Sequence, residues 1–336
     1  MASRDIVAIG GSLGSSSVLR RILAGLPADL PGSVLIVTHV PSNSTGYLSE
    51  ALNSAGPLPV SQAVDGQTVE RGHVYVAAPN RHLLVTRGAI ILGTGPRENL
   101  SRPAIDPLFR SAALAFGPRV IGVVLTGLLN DGAAGLHAIK SLGGLTVVQH
   151  PLDAEAPDMP RAALETLEVD HVGRVDELAG LITRLVGTPA GPAHAPSRDL
   201  ELEVEIATGL RVGSDRLRQI AEPAAMTCPH CQGALSEIKA AGPLRYRCQI
   251  GHAFTAEAVI SAQEEGVEQA LRIAMRMMEE RTELVGRMAR EARVSGRTAV
   301  AELYEARAAE YAEYAATLRR AATQGLQLAR SHADDV

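Results

Sequence analysis

Several polar residues stand directly after apolar, β-branched runs. Ser12 follows "DIVAIG" (5–10) and lies in Gly10-Gly11-Ser12-Leu13-Gly14. That stretch fits G-x-S-x-G, the pattern that exposes a nucleophilic serine on a sharp strand-to-helix turn. His39 ends "SVLIVTH" (33–39), Asn130 and Asp131 follow "RVIGVVLTG" (119–127), and His150 follows "GLTVVQ" (144–149). A serine, an imidazole to take its proton and a carboxylate to orient the imidazole are the parts needed for nucleophilic acyl transfer. On position alone, His39 and His150 are both candidate bases. The glycines have rival readings. No Lys-Ser or Lys-Thr follows them, so they form no P-loop, and their spacing is not G-x-G-x-x-G. They could also serve only a tight strand–helix turn.

The elements that must position these residues read as alternating strands and helices over residues 1–187. After Ser15, Ser16 and Ser17, which could cap a helix, Val18, Leu19, Ile22, Leu23 and Leu26 fall on one helical face. "LFRSAALAF" (108–116) and "AAGLHAIKSL" (133–142) read the same way. Continuous apolar strands alternating with helices imply a doubly wound, mostly parallel α/β sheet covered on both faces. In such a sheet, ligand chemistry collects at the carboxyl ends of the strands, where the polar residues above would gather on one rim. "HVYVAA", "HLLVT" and "AIILG" (73–93) read as an antiparallel excursion at the sheet edge. The chain order Ser12, His39, Asp131, with one strand before the serine, differs from that of an ordinary α/β-hydrolase.

These stretches resemble the catalytic domain of the bacterial chemotaxis protein-glutamate methylesterases (CheB). The resemblance rests on "AIGGSLG" (8–14), "VTHVPSNSTGYLSEALNS" (37–54), "GHVYVAAPNRHL" (72–83), "SRPAIDPLFRSAA" (101–113), "LTGLLNDGAAGL" (125–136) and "APDMPRAAL" (156–164). The six blocks are collinear and span roughly residues 4–187. The resemblance implies a catalytic triad of Ser12, His39 and Asp131, which leaves His150 as a rim residue of unknown role. It also implies an oxyanion donor at the backbone of Leu128, with Leu13 and Gly14 as further candidates and the helix near Ser15 supplying its positive end. The implied substrates are glutamyl γ-methyl esters in the cytoplasmic segments of methylated chemoreceptors. Glutamine deamidation is the family's second reaction, and no cofactor is implied for catalysis. His73, His82 and His137 read as structural.

Two departures stand out. The family usually carries an N-terminal receiver domain, whereas here the expectation is that control in cis by a receiver is missing. The family serine is typically followed by Thr-Gly-Gly, whereas here Leu13-Gly14-Ser15 follow.

All three cysteines lie in "CPHCQGALSEIKAAGPLRYRCQIGH" (228–252). Cys228 and Cys231 form C-x2-C, and Cys248 and His252 form C-x3-H, so a closed Cys3His zinc site of structural type is expected. His230 competes as the fourth ligand, and "GALSEI" and "PLRYRC" would be the strands between the knuckles. "GTPAGPAHAPSRD" (187–199) reads as a linker, and "LELEVEIATGLRV" leaves strand and disorder both open. In the tail, Val267, Leu271, Ala274, Met277, Met278, Leu284, Val285 and Met288 make one apolar stripe. Val300, Leu303, Tyr304, Tyr311, Tyr314, Leu318 and Ala322 make another, and "VSGRT" (294–298) lies between. That is a helical hairpin whose stripes should form its core.

The expected domains are a methylesterase domain (1–187), a linker (188–222), a zinc-binding unit (223–256) and a helical hairpin (257–332). The unit and hairpin would form a docking or regulatory module for other signalling proteins. The 336 residues carry a net charge of −5, which gives no sign of nucleic-acid binding. No apolar run is long enough to insert in a membrane, no signal-peptide layout opens the chain, and three cysteines argue against a disulfide framework. A cytoplasmic protein is expected. Two other functions stay open: a serine hydrolase of this fold with another ester substrate, and a non-enzymatic signalling adaptor.

Overall fold

The computed structural model describes residues 2–40, 47–210, 213–239 and 242–334, with side chains as far as residue 323. Part of the motif block 37–54 and the end of "LELEVEIATGLRV" lie outside the described residues. The chain opens with β1 (Ile6–Gly11), α1 (Ser15–Gly25), β2 (Ser33–Thr38) and α2 (Tyr47–Asn53). Next come β3 (Val60–Gln62), β4 (Val74–Val76), β5 (His82–Val85), β6 (Ile90–Gly93) and α3 (Ile105–Phe116). They are followed by β7 (Val120–Val124), α4 (Ala133–Ser141), β8 (Leu145–Gln149), α5 (Asp158–Thr166), β9 (His171–Gly173) and α6 (Val175–Leu185).

Seven strands form one sheet in the order β3-β4-β2-β1-β7-β8-β9, and every pairing in it is parallel. Side chains alternate between its faces. Ile6, Ala8, Leu35 and Val37 pack with Leu108 and Leu136 on one side. Val7, Ile9, Val34 and Ile36 pack with Leu19, Ile22, Leu178 and Ile182 on the other. Burial on both faces explains why these strands are apolar throughout rather than alternating. The strand order reverses between β1 and β7, and the crevice at their carboxyl ends is where ligands bind in such sheets.

The sequence reading needs correction in three places. "HVYVAA" is not part of an antiparallel excursion. Its Val74, Tyr75 and Val76 are buried on both faces, and β4 lies parallel between β3 and β2. Only β5 and β6 pair antiparallel, as a separate ribbon. Residues 188–222, read as a linker, carry α7 (Arg198–Thr208) and α8 (Ser214–Ile220). The acidic–apolar alternation there leaves strand and disorder both open. The ends decide for a helix: the Ser197 hydroxyl accepts from Leu200 N–H at 3.3 Å, and Gly209 closes α7 with a φ of 111°. The third correction concerns the C-terminal hairpin below.

A four-stranded antiparallel sheet follows, from β10 (Ala221–Thr227), β11 (Ala234–Ile238), β12 (Arg245–Cys248) and β13 (Ala253–Thr255). It belongs to the same compact unit as the parallel sheet, which extends to Val259. Residues 260–336 form a second unit, built from most of α9 (Ala256–Val294) and from α10 (Thr298–Asp334). Within this hairpin Arg293 donates to Glu305 at 2.7 and 2.6 Å, and Arg319 pairs with Glu279. Among the described residues of the hairpin the buried ones are alanines, Ala289, Ala292, Ala301 and Ala315. Small side chains let the two helices approach, so much of the expected core stripe points outward. Val267, Met277, Leu284, Met288, Val300, Leu303 and Tyr314 are exposed. Among the described residues no helix is long and apolar enough to cross a membrane.

A buried charge network joins the two sheets. Glu98 pairs with Arg110 of α3 and accepts from Arg247 of β12 at 3.1 Å. Glu203 of α7 accepts from Arg245 at 2.7 and 2.9 Å and from Arg247 at 3.2 Å. All five side chains are buried. Burial opposes ionisation of Glu203, but Arg245, Arg110 and Arg247 hold its carboxyl far below the usual range. Removing one member leaves the others desolvated and uncompensated, which costs about 3–5 kcal/mol. Glu203→Ala should lower the stability to urea by about that amount; an unchanged unfolding midpoint would show that the network does not hold the sheets together.

Candidate active site and candidate metal centre

Register brings the serine and the histidine together. Gly11 of β1 pairs with Thr38 of β2, so the next residues, Ser12 and His39, leave neighbouring strands side by side, about 4.8 Å apart by strand spacing. The serine loop is pinned by its backbone. Ser12 N–H donates to Thr126 O at 2.9 Å, the Thr126 hydroxyl donates to Leu13 O at 3.0 Å, and the Ser15 hydroxyl donates to Ser12 O at 2.6 Å. α1 begins at Ser15 after Gly14, whose φ is 76°. None of the three serines caps it through its side chain. The β7 loop presses on Ser12: a Cβ on Gly127 would lie 2.7 Å from Ser12 Cβ and 2.1 Å from Met159 Sδ.

His39 Nε2 lies 2.7 Å from Asp131 Oδ2, and Asp131 is 1% exposed. The same carboxylate accepts from Ile105 N–H at 2.7 Å and Asp106 N–H at 3.2 Å, the open end of α3. It also accepts from Asn99 Nδ2 at 2.9 Å. The exchange is reciprocal. Asp106 accepts from Gly132 N–H at 3.1 Å and Gly135 N–H at 2.6 Å, at the start of α4, and from Asn99 Nδ2 at 3.1 Å. Each carboxylate thus caps the helix that the other one begins or precedes, and both sit in positive helix-end potential.

Their titration is driven apart. Burial and the neighbouring charge of Asp131 push Asp106 up to about 7, against the pull of Arg110. Burial also opposes ionisation of Asp131, but the hydrogen bond and charge of His39, with Ile105 N–H and Asn99, bring it below the ordinary carboxylate range. Asp131 is therefore the ionised partner, and it accepts a hydrogen bond from Nε2–H of His39. That makes Nδ1 the accepting nitrogen of the ring.

Leu128 N–H has no partner among the described residues and follows the glycine packed on Ser12. Its side chain and that of Leu13 are about half exposed, at 52% and 50%. The next residue, Leu129, holds a left-handed φ of 60°, and its N–H is turned to Asp158 at 3.4 Å. Of the other histidines, His150 Nδ1 accepts from Leu152 N–H at 3.2 Å and His73 bonds Ser61 at 2.8 Å. His137 is partly buried. His82 is buried, with Nε2 on Pro96 O at 2.9 Å and Nδ1 accepting from Ala104 N–H at 3.3 Å. Sequence reasoning missed Asn99 and Asp106. Asp106 lies inside a motif block, while Asn99 carries no local signal of its neighbours.

In the second centre the Sγ atoms of Cys228, Cys231 and Cys248 and a ring nitrogen of His252 lie within 4.8 Å of one another. Cys231 and Cys248 sulfurs are 3.6 Å apart, and His252 Nδ1 lies 3.4 Å from Cys248 and 3.9 Å from Cys228. Ligands about 2.3 Å from a tetrahedral ion stand about 3.8 Å apart, so the set fits a metal ion. His230 stacks against His252 at 4.4 Å between ring centres and is not in the cluster. Burial holds His252 down at about 4, in the neutral form a ligand needs.

Two results should follow. Gly127→Ala should reduce the reactivity of Ser12 toward a fluorophosphonate by about 100-fold, the cost of displacing a reacting group by about 1 Å; an equal labelling rate would show the β7 loop does not set the serine. Burial holds His82 below its ordinary pKa, partly offset by Glu98. Its unfolded form binds a proton below about pH 6.5, so its stabilising share is whole above that pH and is lost on acidification. Denaturation at pH 7 and pH 5.5 should show a smaller fall for His82→Gln than for the wild type.

Residues 7–182 match the family model described as CheB methylesterase. The chain is 39% identical over 182 residues to a Leptospira interrogans protein, covering 54% of this chain and 94% of that one. That protein is provisionally named a protein-glutamate methylesterase/protein-glutamine glutaminase. The present chain is also 38% identical over 194 residues to protein-glutamate methylesterase/protein-glutamine glutaminase 2 of Methanosarcina acetivorans, covering 55% of this chain and 54% of that one. The crystal structure of the Thermotoga maritima CheB methylesterase catalytic domain superposes with a TM-score of 0.54 at 30% identity, covering 55% of this chain and all of that one.

Proposed function

The chain belongs to the CheB methylesterase family, and on that premise we propose that it hydrolyses glutamyl γ-methyl esters on the cytoplasmic segments of chemoreceptors. The observation that carries this is the His39–Asp131 pair at 2.7 Å, on the strand end beside Ser12. Ser12 Oγ attacks the ester carbonyl as His39 Nδ1 takes its proton, and buried Asp131 stabilises the imidazolium. The oxyanion is met by Leu128 N–H, with Leu13 and Gly14 N–H groups at the start of α1 as the second donor. His39 returns its proton to the methoxide, methanol leaves, and water hydrolyses the acyl-enzyme with His39 again as base. With a glutamine substrate the same steps release ammonia. The half-exposed Leu13 and Leu128 offer an apolar rim to the receptor segment around the ester.

The reading places the protein in the cytoplasm. It needs no cofactor for the hydrolysis. Cys228, Cys231, Cys248 and His252 hold a zinc ion that ties the turns of the four-stranded sheet together, with every ligand position filled by protein.

Methylated receptor membranes should release methanol with the wild-type protein, and Ser12→Ala should lower the rate at least about a thousandfold. No release from the wild type, with Ser12 still labelled by a fluorophosphonate, would move the assignment to another ester.

A further inference from the structure

The four-stranded sheet reaches the triad carboxylate through one side chain. Residues 97–99 run beside β13: Asn99 N–H donates to Ala253 O at 2.9 Å, and Ala253 N–H to Arg97 O at 3.3 Å. At the next position Thr255 N–H donates to Oδ1 of Asn99 at 3.0 Å. Asn99 Nδ2 then serves Asp131 and Asp106, at 2.9 and 3.1 Å. Both Asn99 and Thr255 are buried. A backbone N–H can only donate, so Thr255 dictates which way the Asn99 amide faces. Turned over, the amide would aim its carbonyl at two carboxylates and its NH2 at a donor.

A second thread reaches the same loop. The Thr255 hydroxyl donates to Asn130 Oδ1 at 2.5 Å, and Asn130 donates to Glu257. Asn130 immediately precedes Asp131.

β13 begins one residue after His252, the last member of the Cys3His cluster. The turn that carries Cys248 and His252 is closed on the end of β12: Cys248 N–H donates to His252 O at 3.0 Å, and Arg247 Nη1 to Gly251 O at 2.7 Å. The chain of contacts therefore runs from the cluster through His252, β13 and Asn99 to Asp131, without a solvent gap.

We propose that the Cys3His unit is a working part of the esterase site, in which a metal ion at Cys228, Cys231, Cys248 and His252 holds β13 so that Thr255 fixes Asn99 and Asn99 positions Asp131. It rests on the reading of Ser12, His39 and Asp131 as the triad. Asn99 is a positioning residue: it touches the carboxylate and not the substrate. Metal occupancy then sets how well His39 is oriented toward Ser12, so the zinc unit controls the rate from within the same compact body.

The test uses the full chain with two readouts, fluorophosphonate labelling of Ser12 and methanol release. Zinc content by atomic absorption and thermal melting accompany both. Asn99→Ala and Thr255→Val keep all four ligands. Asn99→Ala should retain one zinc per chain yet lower kcat by about 100-fold, with KM within about twofold, as expected when a reacting group is misplaced without loss of binding. Thr255→Val keeps the backbone N–H on Asn99 and removes only the hydroxyl on Asn130, so it should give a smaller loss of the same kind. Removing zinc with a chelator should slow Ser12 labelling by at least about tenfold, and adding Zn2+ back should restore it.

Full kcat and labelling in Asn99→Ala, with the wild type active and Ser12→Ala dead, would overturn the coupling and leave the family reading intact. Loss of labelling on zinc removal only where the whole protein melts would also overturn it. Absence of Ser12 labelling in zinc-loaded wild type would overturn both the triad and the coupling built on it.

Discussion

Two buried carboxylates exchanged between two helix ends organise the rest of the site. Asp131, just before α4, closes the start of α3, while Asp106, in the first turn of α3, closes the start of α4. A carboxylate can stay ionised at 1% exposure only if donors replace its lost water. Here two backbone N–H groups, the Asn99 amide and the His39 ring do so. The same constraint requires α3 to approach β1 closely. Gly10 allows it, since a Cβ there would lie 2.2 Å from Ile105. The position of the acid is thus a property of packing between α3, α4 and β1, and the histidine is oriented by what that packing leaves on Oδ2.

The parallel sheet sets the other half of the geometry. Consecutive residues past the Gly11–Thr38 pair are Ser12 and His39, so their closeness follows from register alone. The reversal of strand order between β1 and β7 puts the β7 loop, with Gly127, Leu128 and Asp131, against the same edge. Leu129, in the left-handed region, turns the chain between the Leu128 N–H, which has no partner among the described residues, and the buried Asp131. Strain at a non-glycine residue persists where the surrounding structure enforces it, and such residues cluster at functional sites.

The four-stranded sheet is not an appendage on a tether. Arg245 and Arg247 bring their charges to Glu203, and Arg247 also to Glu98, which pairs with Arg110 as well, and a guanidinium without its carboxylates could not be buried there. The segment read as a linker becomes α7 because it must deliver Glu203 to that network. The C-terminal hairpin is a separate matter. Its seam is closed by alanines, so several of its larger apolar residues, which periodicity alone assigned to a core, stand in solvent.

What the sequence determined by itself was whatever depends on local pattern. Apolar runs broken by glycine turns specify a two-sided parallel sheet, since strands buried on both faces cannot alternate. The spacing of Cys228, Cys231, Cys248 and His252 identifies a four-ligand cluster, since two close pairs joined by a hairpin have few other uses. Six collinear blocks point to the family and, through it, to Ser12, His39 and Asp131 as candidates. What only the tertiary structure decided was every relation between residues far apart in the chain. Asn99 meets Thr255 across 156 positions and Arg247 meets Glu98 across 149. An asparagine or an arginine looks alike in sequence whether it faces water or a buried carboxylate. The difference lies in the desolvation cost that its partner offsets, and that partner is chosen by the fold.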